Sequence, residues 1–167
     1  MYQLAASRIA SLERRAPFGI AALVALMAAF SSIPVEAQAP VLFAMPIGVF
    51  WYLETTINHA RSFEDLIRRI DQIECLVNKL AGRELLVFQS THPSRGTRVG
   101  GRTGHETVQA VLCNSLVFML IGLWQHNQMG SSVYDLGWLY SLYVALSAIA
   151  LTYRVHHFCR YVYVRQD

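Results

Sequence analysis

The chain is poor in charge: Asp, Glu, Lys and Arg make up 15% of its 167 residues, against about 25% in an average soluble domain whose surface must stay wet. With 54% hydrophobic residues and a mean hydropathy of +0.32, it has too little polar surface for a typical cytosolic enzyme. It also lacks the polar bias of a disordered segment. Cysteine is scarce: Cys75, Cys113 and Cys159 are odd in number and show no CxxC or Cys/His zinc spacing. They indicate neither a disulfide framework nor a zinc site. Neither GxxxxGK[ST] nor GxGxxG occurs, and no Ser/His/Asp or Cys/His set has the sequence context of a hydrolase.

What remains is apolar chain in long runs. The stretches 16–35, 37–53, 107–134 and 136–153 are nearly free of charge, and each approaches the roughly 20 residues that a helix needs to cross a bilayer core. The fourteen Lys and Arg are distributed with a clear bias. Arg8, Arg14 and Arg15 precede the first run, eight more fall between Arg61 and Arg102, and Arg154, Arg160 and Arg165 follow the last run. The two short connections contain no Lys or Arg, only Glu36 and Asp135. Because Lys and Arg collect in cytoplasmic loops, both termini and the long insert are expected in the cytoplasm. The basic surplus then reflects orientation, and nucleic acid is not an expected partner.

The expected fold is all-α: a polytopic membrane protein of bacterial inner-membrane type with four transmembrane helices. The expected segments are a cytoplasmic N-terminus over 1–15, spans at 16–35, 39–58, 107–126 and 135–153, a cytoplasmic stem and Gly/Arg loop over 59–106, and a cytoplasmic C-terminus over 154–167. Residues 1–37 also carry marks of a signal peptide: Arg14-Arg15, an apolar run from Phe18, and small residues at Val35-Glu36-Ala37. Against cleavage, the run is long and a second span begins at once.

The second span is expected to leave the bilayer as one helix, because neither Gly nor Pro interrupts the chain between Trp51 and Ala81. Ile57, Phe63, Ile67, Ile70, Ile73, Val77 and Leu80 fall at steps that keep them on one face. Glu64 precedes Arg68 by four residues and Asp65 precedes Arg69 likewise, the favourable order for helix ion pairs. Gly82 is a natural C-cap. The apolar stripe requires a cover, either the block Leu85 to Phe88 or the same helix of another copy.

Candidate sites follow from polar residues at costly positions. Glu54, Asn58, Asn114 and Ser115 are candidates for a pore or proton path, with Arg61, Arg154, His156 and His157 as partners for the carboxylate. Arg95, Arg98 and Arg102 with Gly100 and Gly101 could wrap an anion or a lipid headgroup; a flexible basic loop facing anionic lipid is the plainer account. Thr103 and Glu106 have the spacing of a capping box for the third span. His59 with His156 or His157 could form the axial pair of a b-type haem, although no cofactor is the leading expectation. Small residues in the first and fourth runs favour close helix contact.

The leading functional expectation is a non-enzymatic membrane component that assembles with itself or with a membrane-complex partner through its stem. The alternative is a subunit of an oligomeric ion-conducting pore, and the third is a haem-binding or enzymatic membrane protein using His59, His126, His156 or His157.

Overall fold

A computed structural model describes residues 2–30, 32–87, 101–128 and 137–160. All of its elements there are α-helices: α1 (Tyr2–Glu13), α2 (Arg15–Phe30), α3 (Val35–Ala81), α4 (Gly101–Gln128) and α5 (Gly137–Cys159). Three helical segments, Ala37–Ala81, Thr103–Gln128 and Gly137–Cys159, are long and apolar enough to cross a membrane. The first apolar run differs from the expected 16–35 span. Its helix stops at Phe30 after 16 residues, and Ser32, Ile33 and Pro34 are non-helical before α3 begins. Proline fixes its own backbone and disfavours helix in the residue before it, so Pro34 explains the break.

α3 is 47 residues long, about 70 Å at 1.5 Å per residue. It ends at Ala81 with Gly82 in the left-handed conformation at φ 64°, a state open to glycine at little cost. The Asn78 side chain then turns the following segment back. Its Oδ1 accepts from the Leu85 and Leu86 amides at 2.8 and 2.9 Å, and its Nδ2 donates to the Leu86 carbonyl at 2.7 Å. Leu85 and Leu86 are therefore held near the stem by their backbone, while the Leu85 and Val87 side chains stay exposed. Phe88 lies outside the described residues.

Two prolines lie inside α3, Pro40 and Pro46. Pro46 cannot donate to the Leu42 carbonyl four residues before it, and an unpaired carbonyl in hydrocarbon is costly. Tyr140 of α5 supplies the missing donor, its hydroxyl lying 3.4 Å from Leu42 O, and Tyr143 donates to Phe43 O at 3.3 Å. Tyr140 is 1% exposed and meets Phe43 edge-on at 5.1 Å. Gly122 makes room for that ring, because a Cβ there would stand 2.9 Å from the Tyr140 hydroxyl.

α3, α4 and α5 form the core, with Leu42, Leu53, Ile57, Val108, Val111, Met119, Val144, Leu151 and Phe158 among its buried members. The outward faces stay apolar: Ile20, Val24, Ile47, Trp51, Leu120, Trp124, Trp138, Leu146 and Ile149 are exposed. A water-facing surface does not collect large hydrophobes on every helix.

α1 packs against α3 and α4 and buries Leu12 to 1% exposure. The stem's stripe is thus partly covered from within the chain: Phe63 and Ile70 are buried, while Ile73 and Leu80 are exposed. Glu64 and Arg68 pair at 3.2 Å, and Asp65 and Arg69 are exposed. α4 begins at Gly101, so Thr103 lies within its first turn and is not the residue that caps it. The small residues expected to seat α2 tightly, Ala21, Ala22, Ala25, Ala28 and Ala29, are exposed in this chain, as are Ser141 and Ala145 of α5.

Candidate functional site

The polar residues gather around the middle of α3, where α2 begins and α5 ends. Helical spacing puts Tyr52, Thr55, Thr56 and His59 on one face, and that face receives Arg15. Thr55 and Thr56 each donate a hydroxyl proton to the Tyr52 carbonyl, at 2.9 and 2.8 Å, and each accepts from Arg15 Nη1, at 3.1 and 3.2 Å. His59 Nδ1 lies 2.8 Å from the Thr55 carbonyl. With Nδ1 donating there, Nε2 is the acceptor for Arg15 Nη2 at 3.2 Å. Tyr52 closes the network by donating its hydroxyl to the Arg15 carbonyl. No carboxylate joins it among the described residues, so the Arg15 charge is solvated by hydroxyls and an imidazole alone.

Glu54 lies two residues from Tyr52, about 200° round the helix, and faces α5. Its two oxygens accept from Arg154 Nε at 2.5 Å and Nη2 at 2.8 Å, a bidentate pair. Asn58 is exposed. On α4, Asn114 donates to the Ala16 carbonyl at 3.3 Å, and Ser115 donates to the Val111 carbonyl at 2.7 Å. Glu54 therefore contacts α5, whereas Asn114 contacts the start of α2 and Ser115 bonds back within α4. The four residues expected along one path do not converge.

Asn114 and Ser115 instead line a cleft of about 370 Å³ that opens to the surface between α2, α3 and α4. α2 contributes Phe18, Gly19, Ala22 and Leu26; α3 contributes Val41, Met45, Gly48 and Tyr52 among others; Phe118 adds to the α4 wall. The cleft exists because α2 rests on α4 and touches α3 little. The Tyr52 ring packs on Gly19, where a Cβ would lie 3.2 Å from it, and forms the cleft's polar end.

No family model, curated protein or solved structure matches the chain.

A third cluster joins α4 to the end of α5. His105, 6% exposed, has Cys159 Sγ at 3.8 Å from Nδ1 and 3.9 Å from Nε2, Gln109 Nε2 at 3.1 Å, and the Phe158 ring stacked at 6.4 Å. His156 and His157 are exposed in the last turn of α5, while His59 is engaged by Arg15 and the Thr55 carbonyl. Among the described residues no group of three or more His, Cys, Asp or Glu could hold a metal ion. Arg95, Arg98 and Gly100 of the Gly/Arg loop lie outside the described residues, as does the Arg102 side chain; Gly101 opens α4 with φ 62°.

Sequence reading missed Arg15, Thr55, Thr56 and His105 as parts of sites. One signal was present for the first group: the last basic residue before an apolar run, opposite a Tyr52-x-x-Thr55-Thr56-x-x-His59 face. The His105 and Cys159 contact had none, since 54 residues separate them.

Proposed function

We propose that this is a four-span integral membrane component, with its termini and stem in the cytoplasm, that acts by assembling with a second copy through the tip of α3. A fourth crossing is supported by where α2 begins and ends. It starts at Arg15, bonded to Thr55, Thr56 and His59 in the middle of α3, and ends at Phe30, just before α3 begins at Val35. From Val35 to Thr55 is about 30 Å of helix, one hydrocarbon thickness. The exposed Phe18, Ile20 and Val24 suit lipid along its outer face.

Assembly rests on the tip. Ile73, Leu76 and Leu80 are 40%, 59% and 81% exposed, at steps of three and four that place them on one helix face. Leu85 and Val87, on the segment that Asn78 turns back, are exposed as well. Beyond the membrane such a row of exposed apolar side chains is the mark of an interface. The test is mass in mild detergent by light scattering. The wild type is expected to be oligomeric and the Leu76→Glu/Leu80→Glu variant monomeric; a monomeric wild type, or a variant of unchanged mass, overturns the proposal.

No observation favours the pore, because Glu54 is held by Arg154 while Asn114 and Ser115 line the cleft.

A further inference from the structure

The cleft between α2, α3 and α4 has two properties that belong together. Its walls are apolar from Leu26 and Val41 at one end to Gly19 and Tyr52 at the other. Beyond Tyr52, one helical turn further along both α2 and α3, stands Arg15 with its charge unmatched by any carboxylate among the described residues. The α2 wall from Phe18 to Leu26 and the α3 wall from Val41 to Tyr52 measure about 12 and 16 Å along their helices. One leaflet of hydrocarbon is about 15 Å deep, half of the bilayer core. The cleft thus has the depth of one leaflet, an open side, and a cation at its headgroup end.

We propose that this cleft is a binding site for one anionic glycerophospholipid, with an acyl chain between α2 and α3 and the phosphate at Arg15. The volume, about 370 Å³, lies within the range of small-ligand sites and suits a single chain. Asn114 offers a further contact: one of its amide protons goes to the Ala16 carbonyl, and the other is available to an ester oxygen near the cleft's polar end. Arg15 uses its Nη groups on α3, which fixes the guanidinium so that its charge is preorganised for the phosphate. A neutral or zwitterionic lipid fills the same cleft without the net charge that complements Arg15.

Gly48 provides a clean perturbation. A Cβ there meets nothing within 4 Å, so a side chain at this lining position starts in open space; Gly48→Leu takes up cleft volume, and the change raises helix propensity. The experiment is native mass spectrometry of the full chain in detergent with added phosphatidylglycerol or phosphatidylcholine, helicity being checked by circular dichroism. Wild type is expected to retain one phosphatidylglycerol at least tenfold better than phosphatidylcholine. Gly48→Leu should lose at least tenfold of that retention while keeping its helicity. Arg15→Gln should bind the two lipids alike, and Arg15→Lys should recover the preference. Retention unchanged in Gly48→Leu would place the lipid elsewhere, and equal retention of both lipids by the wild type would remove Arg15 as the headgroup contact; either result overturns the site.

Discussion

The Tyr140 hydroxyl is present, on the account above, because Pro46 is. Replacing Tyr140 with Phe leaves the Leu42 carbonyl with neither its helical donor nor the hydroxyl, at a place where Leu42 and Tyr140 are 0% and 1% exposed and water has no access. An orphaned buried acceptor costs about 1–3 kcal/mol, and the 3.4 Å separation is long for such a bond, so a cost of about 1–1.5 kcal/mol is expected. Pro46→Ala restores an N–H four residues after Leu42. In that background the same Tyr140→Phe change should cost less than about 0.5 kcal/mol, giving a coupling near 1 kcal/mol in a double-mutant cycle. Equilibrium unfolding in mixed micelles, followed by circular dichroism, measures all four corners. An equal cost of Tyr140→Phe in both backgrounds would refute the reasoning, because the hydroxyl would then serve something other than the proline gap. Tyr143→Phe is the control: its acceptor, Phe43 O, has Ile47 and not a proline four residues on in the helix, so losing the hydroxyl orphans nothing and should cost under about 0.5 kcal/mol.

Glu54→Gln should destabilise by about 1–2 kcal/mol, between surface and buried ion pairs, because the side chains of Arg154 and Glu54 keep 37% and 21% exposure; Glu54→Gln/Arg154→Gln should recover part of it, and thermal unfolding in which the double variant is the sum of the singles would contradict a direct pair. Gly122→Ala should be unfavourable in wild type, where its Cβ meets the Tyr140 hydroxyl at 2.9 Å, and neutral or stabilising with Tyr140→Phe; a shift in melting temperature identical in both backgrounds would reject that contact. An impermeant maleimide should reach Cys75, exposed on the stem, from the side that also presents an N-terminal tag if α2 crosses the membrane. Tag and Cys75 on opposite sides would leave three crossings.

The sequence made the long helix legible because its evidence is local: no Gly or Pro from Val49 to Ala81, then a glycine that takes up φ 64°. The three longer apolar segments were legible for the same reason, since length and hydropathy act one helix at a time. α1 was not. Residues 2–13 form a helix too short and too interrupted by polar residues to be read as a span, and Leu12 is buried only because α3 and α4 stand beside it. The extent of α2 was misjudged by about five residues, because apolar composition continues through Ile33 while Pro34 ends the helical geometry. At the candidate site, the cost of Glu54 in an apolar setting marked it as a residue in need of a partner, but four cations qualified by sequence and the fold selected Arg154. Asn114 and Ser115 were conspicuous for the same reason, yet which helix they face depends on the rotation of α4. The role of Tyr140 emerges only when Pro46, 94 positions earlier, is laid against it.

One helix, α3, carries both the proline inside the bundle and the apolar tip outside it. From Pro46 to Ala81 the rod runs about 50 Å without a break, so it is a lever whose pivot lies among α4 and α5 and whose tip is exposed. A 10° change of direction at Pro46 sweeps the tip sideways by about 9 Å, nearly the diameter of a helix. Whatever alters the seat of Tyr140 or the width of the cleft is thereby magnified where two copies would meet.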